Sequence, residues 1–315
     1  LHRRRRLVPV KVLIVGTGPV ATSLAGVLAK RGGQLLGIWG RSPASVTKAA
    51  SLAKVPALSG ELALLKELDE AEVVVLAVSD DAIAEVARRV VATGRVGEAQ
   101  VLVHCSGAVS AEQAFAEVSA KVGGVGLLHP LRAIVEPLAT MEALPGTTFG
   151  IEGDSRGRRA AEELCALIGG VALPLRAEQM PGYHAAAVMA SNYLVTLLDL
   201  ANRLLEAEGI APAGAGLLEL AFGAISNVRD QGLPEALTGP IRRGDCSTVE
   251  GHMYAIDSKL PEASLVYREL AKQTLQIARK CGSARDSDLD EIKELLARPR
   301  GEPGEQFCLA LQGFA

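Results

Sequence analysis

Apolar runs and helical segments alternate along the first half of the chain. Residues 10–15 are apolar except for Lys11 and end at a glycine, which is typical of a buried parallel strand. Residues 19–30 have helical spacing and stop at Gly32-Gly33. Further strands are predicted at residues 35–39, 72–78, 100–104, 124–128, 147–151 and 171–175, with a helix at 158–168. The alternation predicts an α/β domain in which helices cover both faces of a doubly wound parallel sheet.

The pattern changes after Glu178, where strand signals stop and long helical periods remain. Helices are predicted at residues 185–208, 216–228, 262–280 and 288–297, the first as one long helix closed by Gly209. We therefore predict an α/β domain at 8–176, an all-helical domain at 177–300 and a tail at 301–315. The helices from residue 185 onward are apolar around much of their circumference, which predicts a homodimer formed through the helical domain.

Composition and charge narrow the class of protein. A chain of 315 residues is long enough for two domains, and its formal net charge of -3 and 3% aromatic content argue against nucleic-acid binding. The arginines at positions 3–6 are better explained as a solvated terminus than as a nucleic-acid arm. Residues 185–201 contain Asn192 and Asp199 and are too short and polar to cross a membrane. Five scattered cysteines without a CxxC pair predict no metal site and a reduced, cytoplasmic chain.

A glycine-rich turn follows the first strand directly. Its sequence, Gly16-Thr17-Gly18-Pro19-Val20-Ala21, matches the G-x-G-x-x-G/A fingerprint between a strand and a helix. In that fingerprint Gly16 permits the tight turn, Gly18 lets the backbone approach a pyrophosphate, and Ala21 lets the helix pack on the sheet. Pro19 suits the first helical turn, whose free N–H groups and positive dipole end attract phosphate. The turn therefore predicts a Rossmann-like dinucleotide site.

The end of the second strand indicates which dinucleotide binds. An NAD site places Asp or Glu there, whereas this chain has Gly40-Arg41-Ser42 and no carboxylate. Arg41 can pair with a ribose 2′-phosphate and Ser42 can donate a hydrogen bond to it, with Lys48 as a weaker second contact. We therefore predict NADP rather than NAD. The alternative for Arg41 is a solvated loop charge.

Later strands end at the edge of the sheet where ligands of this architecture bind. The residues that follow them include Val78, Ser79 and Asp80, then Ser106, then His129. Asp80 is alternatively the N-cap of the next helix, and Ser106 is alternatively a turn residue. His129 stands where a general acid or base belongs, and a structural histidine is the equal alternative.

Several motifs of the chain occur in an order known from one superfamily. In the first half they are Gly16-Thr17-Gly18, Ala77-Val78-Ser79-Asp80-Asp81, His104-Cys105-Ser106-Gly107 and Leu128-His129-Pro130-Leu131. This half resembles the Rossmann half of the pyrroline-5-carboxylate reductase and 6-phosphogluconate dehydrogenase-like superfamily. In the second half they are Tyr183-His184-Ala185-Ala186-Ala187, Ala190-Ser191-Asn192-Tyr193-Leu194 and Ala236-Leu237-Thr238-Gly239-Pro240-Ile241-Arg242-Arg243-Gly244-Asp245. This half resembles a bacterial branch that joins a Rossmann-like NADP oxidoreductase domain to a helical C-terminal domain of unknown function.

The resemblance implies an NADP-binding fold and a helical domain that often forms the dimer interface, and it supplies no substrate. The related β-hydroxyacid dehydrogenases use a Lys and an Asn one turn apart on a long helix. Asn192 resembles that Asn, but Val188 stands where the Lys is expected. On a single helix these two positions share a face with His184, which can then replace the Lys. His129-Pro130 also resembles the His-Pro of prephenate dehydrogenases, where the histidine acts on the substrate hydroxyl.

The loop at residues 238–245 carries charges in an otherwise apolar region. Arg243 can clamp a substrate carboxylate through two hydrogen bonds, and Arg242 is expected to face solvent. Asp245 either holds Arg243 or caps the next helix. His252 is expected to gather with these residues. The alternative is a turn that only locks the helical domain.

These observations lead to a main hypothesis and an alternative. The main hypothesis is an NADP-dependent oxidoreductase that transfers a hydride between the nicotinamide and a C=O or C=N carbon of a small, carboxylate-bearing molecule. The candidate catalytic residues are His129 or His184 as proton donor, Asn192 and Ser106 as hydrogen-bond donors to the substrate, and Arg243 as the anion clamp. The alternative, motivated by the missing Lys, is a non-catalytic NADP-binding sensor or scaffold protein.

Overall fold

The computed structural model describes residues 10–210 and 214–299 of the chain. They belong to two compact units, the first ending at Ser191 and the second beginning at Asn192. The boundary predicted at 176/177 lies one helix earlier in the chain. The arginines at positions 3–6 and the tail predicted at 301–315 lie outside the described residues.

The first unit contains a sheet with α-helices on both sides. Its strands are β1 (Lys11–Val15), β2 (Gln34–Trp39), β3 (Ala57–Leu58), β4 (Val73–Leu76), β5 (Val101–His104), β6 (Gly124–Pro130), β7 (Thr148–Gly153) and β8 (Val171–Pro174). Its helices are α1 (Pro19–Lys30), α2 (Pro43–Ala53), α3 (Glu67–Glu70), α4 (Ile83–Ala92), α5 (Ala111–Ala114), α6 (Pro137–Ala143), α7 (Ser155–Ile168) and α8 (Met180–Ala190). Each strand predicted from the sequence is present, with ends that shift by at most two residues.

The eight strands lie in the order β3-β2-β1-β4-β5-β6-β7-β8. Those from β3 to β6 in this order are parallel, which confirms the doubly wound sheet. β7 is antiparallel to β6 and parallel to β8, so the last two strands run opposite to the other six in a sheet that is mostly parallel. The segment between β6 and β7 carries only the seven-residue helix α6, which packs against α1, and the chain turns back instead of crossing over.

Both faces of the sheet are covered, because its central strands are apolar at nearly every position. In β1, Val12 and Ile14 belong to the core beneath α1 and α7, whereas Leu13 and Val15 belong to the core beneath α4. Burial on both faces is the pattern of a parallel sheet. The carboxyl ends of the strands are then the edge at which a ligand can bind.

The second unit is helical throughout its described residues, as predicted. Its helices are α9 (Asn192–Ala207), α10 (Gly214–Gln231), α11 (Pro240–Arg243), α12 (Cys246–Lys259), α13 (Ser264–Cys281) and α14 (Asp286–Ala297). Helices α11 to α14 share a core that includes Ile241, Val249, Leu275 and Leu289. The sequence analysis does not predict α12, because polar and apolar residues are mixed around this helix. Among the described residues, no helix has an apolar stretch long enough to cross a membrane.

A buried ion pair joins three helices of the second unit. Arg268 on α13 donates to the Asp257 carboxylate on α12 at 3.0 Å. It also donates to the carbonyl oxygens of Leu296 and Arg298 at the end of α14, at 3.3 and 2.9 Å. One oxygen of Asp257 is buried without a hydrogen-bond partner among the described residues. The guanidinium is thus the polar centre that holds α12, α13 and α14 in place.

The single long helix predicted at residues 185–208 is wrong. α8 ends at Ala190 and α9 begins at Asn192, and Ser191 between them has φ −123° and ψ −74°. Serine and asparagine form hydrogen bonds with the local backbone, which favours helix ends over helix interiors. His184 and Asn192 therefore lie on different helices, and the predicted helix face that they share with Val188 does not exist.

Candidate functional site

The turn after β1 depends on Gly16. Its φ is +133°, a region that favours glycine, and an added Cβ would lie 2.1 Å from the carbonyl oxygen of Ala77, just after β4. The Gly16 N–H donates to the carbonyl oxygen of Trp39 at the end of β2, at 2.8 Å. The turn therefore fits between two neighbouring strands only with glycine at this position.

Gly18 leaves the start of α1 open. It is the N-cap residue with φ −71°, no side chain caps the helix, and Pro19 follows at the first position. An added Cβ on Gly18 would meet no atom within 4 Å. The N–H groups of the first turn lack helical partners and lie beside open space, which is the arrangement that binds phosphate. Ala21 is fully buried and lets α1 approach the sheet.

A cleft of about 610 Å³ lies along the carboxyl ends of β1, β2, β4 and β5. Most of the residues predicted to bind the cofactor line it: Gly16, Thr17, Gly18, Pro19, Val20, Gly40, Arg41, Val78, Ser79, Asp80 and Ser106. Ala21 and Ser42 do not. Ser42 caps α2 instead and accepts a hydrogen bond from the Ser45 N–H at 3.4 Å. These two residues support the walls of the cleft rather than forming its surface.

Arg41 is exposed on the cleft wall directly after β2. Gly40 before it packs against Thr17 of the glycine-rich turn, where an added Cβ would lie 2.6 Å from the Thr17 methyl carbon. The chain at the end of β2 therefore passes close to the phosphate-binding turn. Lys48, the predicted second contact, lies on α2 and does not line the cleft.

Arg89 on α4 also lines the cleft, and the sequence analysis does not predict it. Ala82, Glu85 and Val86 lie on the same wall. These positions recur every three or four residues after Ser79, in the loop that follows β4, and this spacing is one face of a helix that starts at the cleft. That spacing is the signal in the sequence that points to Arg89.

Ser106 shapes the floor of the cleft. It is buried, its hydroxyl oxygen accepts from the Ala108 N–H at 3.0 Å, and its own N–H donates to Nδ1 of His104 at 3.2 Å. The hydroxyl therefore closes a turn, as one of the predicted alternatives requires, and its proton remains for a ligand. His104 is fully buried, and burial lowers its pKa to about 4.

A histidine–tyrosine pair adjoins this floor. The His129 side chain, on β6, lies with Nδ1 2.7 Å from the hydroxyl oxygen of Tyr183 on α8. Gly107, the residue after Ser106, lies against the His129 ring, since an added Cβ would be 2.8 Å from Cε1 and Nε2. The ring of His184 lies edge-on to that of His129, with 6.4 Å between the ring centres. We name His129, Tyr183 and His184 the histidine cluster.

Burial sets the protonation of the histidine cluster. It lowers the pKa of His129 to about 4, an effect that His184 strengthens and the Asp80 carboxylate opposes. It also raises the pKa of Tyr183 to about 12, against a backbone hydrogen bond from Gly150. At neutral pH His129 is therefore uncharged and Tyr183 keeps its proton. Nδ1 of His184 is buried without a hydrogen-bond partner among the described residues.

Tyr183 is a functional residue that the sequence does not single out. Histidine titrates near neutral pH, which singles out His129 and His184, whereas Tyr183 carries no such signal beyond its place in a family motif. The two partners of the hydrogen bond are 54 positions apart and come from a strand and a helix. The only sequence signal is that Tyr183 directly precedes His184.

The remaining predicted residues belong to the second unit. Asn192 is exposed at the start of α9, and Arg243 is exposed at the end of α11. The prediction that Arg242 faces solvent is wrong. Arg242 is half-buried and donates to the carbonyl oxygens of Glu235, at 2.9 Å, and of Leu237. Those carbonyls end a tight loop, and the nearby guanidinium satisfies them.

Asp245 and His252 in this region have structural partners. Asp245 caps α12, accepting from the Thr248 N–H at 3.1 Å and its hydroxyl at 2.7 Å. This satisfies the capping alternative. Nδ1 of His252 lies 2.9 Å from the hydroxyl oxygen of Tyr267 on α13. Arg243 is thus the guanidinium of this loop that is exposed to a ligand.

Comparison with known families covers most of the chain. Residues 3–132 match the family described as a Rossmann-like domain, and residues 147–274 match a domain of unknown function, DUF2520. The chain therefore combines a Rossmann-like domain with a DUF2520 domain. This confirms the family resemblance found in the sequence. The DUF2520 match begins at β7, so this domain includes the last two strands of the sheet as well as helices.

Solved structures share the fold of the Rossmann-like/DUF2520 chain. Protein TM1727 from Thermotoga maritima is 27% identical, with a TM-score of 0.67 over 85% of this chain and 98% of that one. A putative NADP oxidoreductase, BF3122 from Bacteroides fragilis, is 21% identical, with a TM-score of 0.66 over 84% and 97%. The imine reductase from Myxococcus stipitatus, in complex with NADP+, is 15% identical, with a TM-score of 0.57 over 86% and 93%. No curated protein matches the chain.

Proposed function

We propose that the chain is an NADP-dependent oxidoreductase that transfers a hydride between the nicotinamide and a C=O or C=N carbon of a small, carboxylate-bearing substrate. The observation that carries the proposal is the Ser106-Gly107 turn, which joins two features of the first unit. Ser106 lines the cleft that begins at Gly18, and Gly107 touches the ring of His129. A cleft suited to a dinucleotide therefore borders a pair of groups suited to proton transfer.

The residues of the cleft fit NADP. The open N–H groups after Gly18 suit a pyrophosphate, and the guanidinium groups of Arg41 and Arg89 suit a ribose 2′-phosphate. No carboxylate follows β2 to bind an unmodified ribose. The Bacteroides and Myxococcus proteins have names that agree with this choice. When bound, the cofactor supplies the hydride and its two electrons.

The residues predicted from the sequence have the following roles in this proposal. His129 is the proton donor, because it pairs with a second titratable group, and His184 is the alternative donor. Ser106 and Asn192 donate hydrogen bonds to the substrate, and Arg243 binds its carboxylate. We further propose that two copies of the chain associate through the second unit, since α9 and α10 have no buried side chain among their described residues.

Calorimetry with NADPH and NADH tests the choice of cofactor. We expect NADPH to bind at least tenfold more tightly, because its extra phosphate forms charge-assisted hydrogen bonds with Arg41 (about 1.5 kcal/mol or more). Arg41→Asp should remove this preference. Lys66→Asp, a charge reversal at an exposed residue outside the cleft lining, is the matched control and should retain it. Equal affinities in the wild-type chain would refute the assignment of NADP.

Nicotinamide absorbance during incubation with keto acids and cyclic imines tests the activity. We expect the wild-type chain to oxidise NADPH with at least one member of the panel. We expect His129→Ala to lower the turnover rate roughly 100-fold. Tight NADPH binding without oxidation by any substrate would contradict the proposal and favour the sensor hypothesis.

A further inference from the structure

The bond between His129 and Tyr183 has a direction. The phenol oxygen of Tyr183 accepts a hydrogen bond from the backbone of Gly150, and an added Cβ on Gly150 would lie 2.7 Å from that oxygen. With an N–H already on the oxygen, the hydroxyl proton is free to point to Nδ1 of His129, 2.7 Å away. A neutral imidazole that accepts at Nδ1 carries its proton on Nε2.

Deprotonation of a neutral histidine needs a partner. Because burial keeps His129 uncharged at neutral pH, its imidazole holds a single proton. Loss of that proton alone would leave an imidazolate anion in a partly buried site, which is costly. The cost disappears when Nδ1 receives a proton as Nε2 releases one. Tyr183 is the group placed to deliver it.

We propose that Tyr183 is a positioning residue that holds His129 as its Nε2–H tautomer and passes a proton to Nδ1 when His129 donates to the substrate. This inference rests on the proposed function, in which His129 is the proton donor. It assigns a role to Tyr183 that neither the family matches nor the sequence motifs provide.

The proton steps balance in the reducing direction. The substrate carbon gains the hydrogen and two electrons that the nicotinamide supplies, and the C=O or C=N π pair moves to oxygen or nitrogen. That atom takes the proton from Nε2 of His129. The O–H bond of Tyr183 breaks as the Nδ1–H bond forms, and the phenolate keeps the electron pair. The Gly150 hydrogen bond lowers the pKa of Tyr183 and so stabilises this phenolate, which water then protonates.

Three other titratable groups interact electrostatically with His129. His184 on α8 disfavours a second proton on His129, and His129 in turn disfavours one on His104 at the end of β5. Asp80, after β4, has the opposite effect on His129. The hydrogen bond to Nδ1 comes from Tyr183. The tautomer of His129 therefore depends on the hydrogen bond from Tyr183, and a change of tautomer indicates that this bond is lost.

The test is ¹⁵N NMR of the histidine rings in the full chain, without cofactor and with NADPH. We expect a single Nε2–H tautomer for His129 in the wild-type chain and a mixture of tautomers in Tyr183→Phe. Tyr267→Phe is the matched control, because it removes the hydroxyl partner of His252. It should change the signals of His252 and leave those of His129 unchanged. An Nε2–H tautomer of His129 that persists in Tyr183→Phe would overturn the proposal.

Kinetics supply the second measurement. Tyr183→Phe keeps the ring that packs against Leu127, Leu175 and Met180 and loses only the hydroxyl. We expect kcat to fall roughly 100-fold with little change in the KM for NADPH. The double variant with His129→Ala should be no slower than His129→Ala alone, because the two residues act as one unit. Wild-type turnover in Tyr183→Phe would refute the relay alone, whereas a wild-type chain that reduces no substrate would refute the proposed function and the relay with it.

Discussion

Replacing each of two glycines in one turn with alanine should affect the stability of the first unit very differently. At Gly16 an alanine Cβ would lie 2.1 Å from the Ala77 carbonyl oxygen with φ at +133°, so we expect Gly16→Ala to destabilise the first unit by about 2–4 kcal/mol. At Gly18 the Cβ would meet open space, so Gly18→Ala should change stability by less than about 0.5 kcal/mol. The same methyl would occupy the phosphate position and weaken NADPH binding.

Urea unfolding and NADPH calorimetry on both variants separate these effects. Gly18→Ala is the informative variant, because it should unfold like the wild-type chain while binding the cofactor at least tenfold more weakly. Unchanged affinity in this variant would show that the pyrophosphate does not lie against Gly18.

His104 should make the chain sensitive to acid. Burial lowers its pKa from 6.5 to about 4, so the unfolded chain takes up a proton before the folded chain does. Stability is therefore complete above pH 6.5 and is lost as the pH falls toward 4, by about 3 kcal/mol for this residue. His104→Gln keeps an acceptor for the Ser106 N–H and does not titrate. Urea unfolding at both pH values should show a smaller loss in this variant, and equal losses would contradict the assignment.

At the scale of helices, removing one partner of the Arg268–Asp257 ion pair should lower the free energy of unfolding more than replacing both partners with apolar residues. Asp257→Ala leaves a buried guanidinium without its carboxylate, and we expect a loss of about 3–5 kcal/mol. The double variant Arg268→Met with Asp257→Leu removes both charges and should recover most of that loss. Denaturant titrations of the three chains measure the difference. A double variant as unstable as Asp257→Ala would show that the hydrogen bonds to Leu296 and Arg298, rather than the charge pair, hold α14.

The strands and helices that are predictable from the sequence are those with a strong period. α1 begins and ends where its spacing and flanking glycines predict, and β1 begins within one residue of its predicted start. The reversed direction of β7 is not predictable, because an apolar run has the same period in either direction. The break at Ser191 is also missed, because the residues on both sides continue a helical, apolar pattern and a single residue decides it.

The candidate site also contains some features that are predictable from the sequence and others that are not. The phosphate-binding turn and Arg41 are predictable, since a strand, a turn and a helix follow one another within a short stretch of sequence. The His129–Tyr183 bond is not, because it depends on how α8 packs against β6 and β7. Local chemistry is encoded by spacing, whereas a contact between distant segments is encoded only by the packing of the whole unit.

At the scale of the whole molecule, the second unit exposes more apolar surface than a monomer can easily keep in water. α9 and α10 have no buried side chain among their described residues. Val195 is 68% exposed, Leu220 71% and Phe222 65%. Exposed apolar surface on this scale marks sites of association on soluble proteins. A second copy of the chain presents the same two helices, and a symmetric dimer would cover both copies of them.

Sedimentation equilibrium tests this prediction. We expect the wild-type chain to be a dimer at micromolar concentration and Phe222→Glu with Leu220→Glu to be a monomer, because two charges would be buried without partners at the interface. Leu64→Glu is the matched control, since Leu64 is 74% exposed in the first unit and should leave the dimer intact. The monomeric variant should still bind NADPH, because every residue of the cleft lies in the first unit. A wild-type chain that sediments as a monomer would refute the dimer.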